Sequence, residues 1–220
     1  MQKFDTTAPI SAVLNIPAGR VQFIAADRAD TAVDVRPANA SKGRDVKAAE
    51  QITVEYGDGV LRIHAPETNQ LFGASGSVEV AVQLPAGSHI EAKAASAEFR
   101  VVGRLGDIAF KGAHGQIKID EAASVRLTIE AGDVEVGRLG GPADISSSKG
   151  DIRITEAVSG TVTLRTGHGA ISVGAAPGVS ASLDAGTSYG RVSNALKNDG
   201  SAQLDIRATT AYGDITARSL

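Results

Sequence analysis

The chain has 220 residues, with 22 basic against 25 acidic side chains and a net charge of −3, so it carries no electrostatic drive towards nucleic acid or an anionic membrane surface. It contains no cysteine, which excludes disulfide scaffolds, thiolate metal sites and cysteine nucleophiles. Hydrophobic residues make up 42% and aromatics only 4%, while 25 residues are glycine. That balance supports a true core in which backbones lie close together with small side chains between them.

From the N-terminus, Met1-Gln-Lys-Phe-Asp5 shows no apolar leader segment. No stretch approaches the roughly 18 apolar residues of a membrane span, so the expectation is a cytoplasmic protein without direct membrane insertion. Period-two alternation, the signature of half-buried strands, then runs through Ile10–Ile16, Val21–Phe23, Val33–Val35, Ile52–Tyr56, Leu61–Ile63, Val78–Leu84 and Ile90–Ala92. Pro17-Ala-Gly19, Gly57-Asp-Gly59 and Pro85-Ala-Gly87 separate these runs as turns, the second as a tight hairpin. The polar segment Ser41–Glu50 reads as a loop with about one helical turn. A second loop, Pro66–Ser77, carries Leu71 and Phe72 among small polar residues.

Beyond residue 96 the pattern repeats. Gly115-Gln-Ile-Lys-Ile119 returns as Gly132-Asp-Val-Glu-Val136, Gly150-Asp-Ile-Arg-Ile154 and Gly169-Ala-Ile-Ser-Val173, then more loosely from Gly190 and Gly213. Successive glycines stand 17, 18, 19, 21 and 23 residues apart, with a second apolar run in each interval. Val102-Gly-Arg-Leu-Gly106 recurs unchanged as Val136-Gly-Arg-Leu-Gly140. Such a period with two short strands suits one coil of a β-solenoid. Leucine-rich repeats would need a leucine ladder and an asparagine column, and a propeller blade would need about 40 residues per unit. An antiparallel meander stays open, because alternation alone does not fix strand direction.

The fold class expected is therefore all-β: an elongated, β-helix-like solenoid with two short strands per 17–23-residue coil. We read one domain, 1–220, with strand-rich residues 1–95 continuing into regular coils over 96–220. Stacking coils about 4.8 Å apart aligns Gly115, Gly132, Gly150 and Gly169 as a column of tight corners. The inward column becomes Ile117, Val134, Ile152 and Ile171. Lys118, Glu135 and Arg153 form an outward column of alternating charge, a stabilising device rather than a site. Before the corner glycine the column reads His114, Ala131, Lys149, His168, Tyr189, Tyr212. The two tyrosines are expected to stack in adjacent coils and close the C-terminal end.

These words carry a resemblance: Phe4-Asp-Thr6 with Pro9-Ile10, Val21-Gln-Phe-Ile24, Asp27-Arg-Ala-Asp-Thr31, Val33-Asp-Val-Arg-Pro37, Asp45–Gln51 and Leu84-Pro-Ala-Gly-Ser88. With the Gly-Asp-Ile coils and the closing Tyr189-Gly and Tyr212-Gly-Asp-Ile phrases, essentially the whole chain resembles a bacterial β-strand-repeat family named putative adhesin. That family is a domain of unknown function related to the toastrack domains of envelope-stress proteins, and the resemblance is to its actinobacterial branch. It implies an all-β solenoid and, by name, an adhesin-like role. It implies no catalytic residue.

Candidate chemistry is sparse. Asp107, Asp133, Asp151 and Asp214 follow corner glycines, but Gln116, Ala170 and Arg191 interrupt them and no calcium-binding nonapeptide is complete. They read as turn residues bonding their own backbone. His114 and His168, three coils or roughly 14 Å apart, are too distant to share a zinc ion. Ser146-Ser-Ser-Lys149 matches a penicillin-recognising phrase but lacks its helix and companion motifs. No nucleophile elbow, Walker loop or dinucleotide fingerprint occurs. No enzyme, cofactor or metal is expected. The function expected is a non-catalytic scaffold or protein-interaction module, linked to a membrane transport or envelope-stress complex, with an adhesin-like or glycan-binding module as the alternative. Its partner is a protein or a second copy of the chain, with no nucleic acid. Leu71-Phe72 is either a cap folded over an end or a partner-docking knob.

Overall fold

The computed structural model describes residues 1–66 and 76–220, so Leu71 and Phe72 lie outside the described residues. The chain is all-β, a β-solenoid, with one short helix among the described residues. It forms two compact units, one of Met1–Gly106 with Phe110–Gly115, the other of Asp107–Ala109 with Gln116–Leu220.

The N-terminal unit holds β1 (Gln2–Asp5), β2 (Ser11–Ala26), β3 (Asp30–Pro37), α1 (Gly43–Glu50), β4 (Thr53–Gly57), β5 (Val60–His64), β6 (Val78–Pro85) and most of β7 (His89–His114). β2 organises it. Its first half pairs in parallel with β5 and its second half with β6, while β7 runs in parallel along the other side of both. The bend between the halves falls at Gly19, with φ +144°, where an added Cβ would stand 1.8 Å from the Val78 carbonyl oxygen. Antiparallel strands decorate this framework: β3 on β6, β1 on β3 and β4 on β5. The β4–β5 hairpin turns at Asp58-Gly59, both at positive φ, as a tight two-residue turn requires.

One expectation is corrected here. Residues 43–50 form an eight-residue helix rather than a loop. Its capping is weak, since Lys42 provides no side-chain cap, and tertiary contacts hold it in place. Asp45 is buried and accepts a hydrogen bond from the Ser77 backbone N–H at 3.0 Å. Isolated helices of this length are marginal, so local sequence gave no strong signal.

The C-terminal unit contains β8 (Ile117–Ala131), β9 (Val134–Leu139), β10 (Ala143–Lys149), β11 (Ile152–Ala157), β12 (Gly160–His168), β13 (Ile171–Ala175), β14 (Ala181–Tyr189), β15 (Val192–Ala195), β16 (Leu204–Tyr212) and β17 (Ile215–Ser219). Every pairing between them is parallel. This removes the antiparallel meander and leaves two strands per coil. One ladder runs β8–β10–β12–β16–β14 and the other β8–β9–β11–β13–β17–β15.

That order contains the main topological finding. The coil formed by β16 and β17, last in sequence, is inserted between the β12/β13 coil and the β14/β15 coil. Sequential stacking would have placed Gly190 beside Gly169, but Gly213 stands there instead. Burial explains the exchange. An internal coil is covered on both sides, so it goes to the segment with the stronger apolar inward face. Leu204, Ile206, Ala208, Ile215 and Ala217 are each at most 1% exposed, whereas Val192 in the end coil is 47% exposed. The inward columns taper accordingly, from Leu164 to Ala208 to Ala185 and from Val173 to Ala217 to Asn194.

Candidate functional site

The chemistry-bearing side chains of the C-terminal unit collect along one row of corners, where each coil passes between the two ladders. Glycine is obligatory there for a steric reason. Gly150 and Gly169 have φ of +135° and +151°, and a Cβ on either would lie 2.1 Å from the carbonyl oxygen of the preceding corner glycine, Gly132 or Gly150. A Cβ on Gly213 would meet the Gly169 oxygen at 2.0 Å, and one on Gly190 the Gly213 oxygen at 2.0 Å. Gly132 belongs to the same row, its N–H donating to the Lys149 carbonyl at 2.9 Å. In the N-terminal unit Gly115, at φ +137°, is pressed against Ala97 in the same way, 1.8 Å from its oxygen.

Three further kinds of group reinforce these corners, and all three meet at Gly213. Three residues before the glycine, a threonine hydroxyl donates to the neighbouring corner carbonyl: Thr166 to Gly150, Thr210 to Gly169 and Thr187 to Gly213, each at 3.0 Å. One residue after it, an aspartate accepts the backbone N–H of the next coil: Asp133 from Asp151 at 2.9 Å, Asp151 from Ala170 at 2.7 Å, and Asp214 from Arg191 at 2.9 Å. These carboxylates therefore bridge coils instead of bonding their own turns, a correction to the sequence reading. One residue before the glycine stand the rings. His168 stacks on Tyr212 with centroids 4.8 Å apart and planes at 7°, and Tyr212 on Tyr189 at 4.9 Å and 3°.

The stack thus has three members, and it ends on Tyr189, which is 67% exposed. Sequence reasoning missed His168 as a member and missed the threonines altogether. The signal was present as Thr-x-(His/Tyr)-Gly in three coils, hidden because the spatial neighbour of His168 is Tyr212 and not Tyr189. Beyond the stack, Arg191 occupies the aspartate position of the end coil. It is held by Asp214 at 3.7 Å, and its side chain is 90% exposed. At the opposite end of β14, Ser180 hydrogen-bonds Asp199. The Ser180 hydroxyl, followed by the Ser201 backbone N–H, holds the Asp199 carboxyl below its ordinary pKa.

Other polar clusters are ladders. Lys118 pairs with Glu135 at 3.1 Å, Arg138 joins Glu121 and Glu156, and Arg165 pairs with Asp144 at 3.2 Å. In the N-terminal unit Arg20 lies between Glu98 at 2.7 Å and Glu79 at 3.4 Å, which raises its pKa above the ordinary arginine value. A shallow depression beside it is lined by Gln22, Asp34, Arg36 and Gln83. Asp34 there is paired with both Arg36 and the N-terminal amine. Ser147 of the Ser146–Lys149 phrase lies in strand β10 and donates to the Lys149 carbonyl. Among the described residues no three His, Cys, Asp or Glu side chains converge on a common point, and no helix is long and apolar enough to cross a membrane.

Comparison with known proteins places this geometry. Solved structures similar to the chain include a putative cell adhesion protein from Clostridium sporogenes, 13% identical over 100% of this chain and 98% of that one, with a TM-score of 0.39. Two putative adhesins, from Bacteroides fragilis and Parabacteroides distasonis, are 12% and 16% identical, each covering 98% of this chain and 95% of its own, with TM-scores of 0.46. No curated protein matches. The profile of Toastrack DUF4097 matches residues 13–219. The chain belongs to the Toastrack DUF4097 family.

Proposed function

We propose that this chain is a non-catalytic interaction scaffold that presents its outward ladders to a protein partner. One observation carries the reading. The side chains able to do chemistry at the corners, namely Asp133, Asp151, Asp214, Thr166, Thr210 and His168, are each engaged in holding one coil to the next. A group fixed in a structural ladder is not poised for proton or group transfer. What is left for recognition is the outer surface of the sheet, where Asp144 and Arg207 stand in register on either side of Thr163 and Arg165 lies two residues further along the middle strand. The family is not known as enzymatic, which agrees with this assignment. Its relation to envelope-stress domains makes a membrane transport or envelope-stress complex the partner we assign.

Cross-linking in the source cells, followed by affinity purification of the tagged chain and mass spectrometry, tests this. The reading expects a reproducible membrane-complex partner, captured from the cytoplasmic fraction and lost in an Arg165→Glu/Arg207→Glu variant that melts like the parent. Recovery of the chain without such a partner contradicts it.

A second reading, a glycan-binding module, is favoured by the stack ending on Tyr189, since exposed aromatic faces are amphipathic contact platforms. Retention on immobilised polysaccharide that disappears in Tyr189→Ala would support it. Passage of the parent chain unretarded would end it.

A further inference from the structure

In the N-terminal unit the outward faces of β2, β6 and β3 lie in register around one small residue. Gln22 of β2 stands beside Ala81 of β6, and Ala81 stands beside Asp34 of β3. Arg20, Glu79 and Arg36 form the adjoining row. Gln83 follows Ala81 on the same face of β6, since residues two apart share a face, and it lies opposite Ala32. Ala81 and Ala32 are short where their neighbours are long. The result is a depression of about 380 Å³, within the roughly 300–1,000 Å³ range of small-molecule sites.

Its polar groups are oriented in advance. Arg28 is held by Asp30 at 2.8 Å and donates to the side-chain carbonyl of Gln83. A guanidinium can only donate, so the Gln83 amide is fixed with its NH2 group left over as a donor. Arg36 is held by Asp34 at 2.6 Å, and Arg20 by Glu98 and Glu79. The Gln22 amide has no side-chain partner among the described residues. Charge then selects the ligand. Two carboxylates, Asp34 and Glu79, balance two guanidiniums, Arg20 and Arg36. An anion would meet the first pair and a cation the second, each at close range, so the depression suits a neutral ligand. A hydroxyl donates to a carboxylate and accepts from an amide in one group, and a pyranose carries several of them around a ring with a C–H face.

We propose that this depression binds a neutral saccharide, one pyranose ring resting on the Ala81 methyl with its hydroxyls donating to Asp34 and accepting from Gln83 and Gln22. Groups already held in place lose little freedom on binding. The proposal shares a ligand class with the glycan reading above but rests on other residues, in the other unit, and does not depend on Tyr189.

Affinity electrophoresis of the full chain tests it, in native gels cast with a neutral glucan, mannan, galactan or xylan and with polygalacturonate as the anionic control. At least one neutral polymer is expected to retard the parent. Ala81→Leu fills the floor and Gln22→Leu removes the unpaired amide, and each should weaken retardation about tenfold. Tyr189→Ala should leave it unchanged. Thermal melts verify that each variant keeps the fold, and Gln22→Leu decides alone where Ala81→Leu melts early. No retardation by any neutral polymer, retardation by polygalacturonate alone, or neutral retardation that the folded variants keep would each overturn the proposal. Neutral retardation lost in Tyr189→Ala but kept in Gln22→Leu would overturn it too, and would assign binding to the ring stack.

Discussion

In the N-terminal unit three phenylalanines interlock the parallel strands: Phe23 against Phe99 at 5.8 Å and Phe99 against Phe110 at 4.9 Å, all within a buried core. The C-terminal unit contains no phenylalanine. Its inward columns are aliphatic, and a repeated corner glycine, reinforced from coil to coil by threonine, ring or aspartate, fixes the register. Both solutions keep strands parallel and in step. The difference shows that register in such a stack can be set by large interlocking side chains or by a short code at the corner. The code permits uniform coils, whereas the aromatic core tolerates the hairpin insertions that β3, β4 and β1 represent.

That comparison can be broken at its strongest point first. Gly169→Val should be the most damaging change, costing ~5 kcal/mol, because strain at positive φ and a backbone clash act together. Loss of a cooperative melt in circular dichroism checks it. Phe99→Ala should cost about 3–5 kcal/mol in chemical denaturation, since its ring touches both other phenylalanines. No single residue of the aliphatic columns occupies that position. Thr166→Val, nearly isosteric, should cost about 1 kcal/mol by leaving the Gly150 carbonyl without its hydroxyl donor.

The smallest effect runs the other way. Ala170 interrupts the carboxylate ladder between Asp151 and Asp214, and Ala170→Asn supplies a neutral acceptor there. It should stabilise the unit by about 0.5 kcal/mol. An unchanged denaturation midpoint would show that the corner code is redundant at that rung.

Much of the C-terminal unit was legible because each coil repeats the same period-two strands around a glycine whose position admits no side chain. The inward column Ile117–Val134–Ile152–Ile171 follows directly from that spacing. Two features were not legible. Helix α1 depends on tertiary contacts such as Asp45 to Ser77, which have no local periodic signature. The exchange of the last two coils depends on which segment buries more apolar surface, a comparison between Ile206, Ile215 and Ala217 on one side and Leu183, Val192 and Asn194 on the other. Sequence adjacency suggests the wrong answer there. The three-ring stack was hidden by the same exchange, since its order in space is His168, Tyr212, Tyr189.

The insertion of the C-terminal coil can be tested directly because the chain has no cysteine of its own. Arg165 and Thr209 are register partners on neighbouring strands, and Gly186 lies one strand further out, beyond Thr209. Adjacent parallel strands lie about 4.8 Å apart, within disulfide reach, while two strand spacings exceed the roughly 7 Å limit between Cα atoms. Oxidation of two double variants, followed by non-reducing electrophoresis and peptide mapping, gives the answer. The inserted order predicts an internal disulfide in Arg165→Cys/Thr209→Cys and none in Arg165→Cys/Gly186→Cys. An internal disulfide in the second variant and its absence in the first would establish sequential stacking and contradict the fold described.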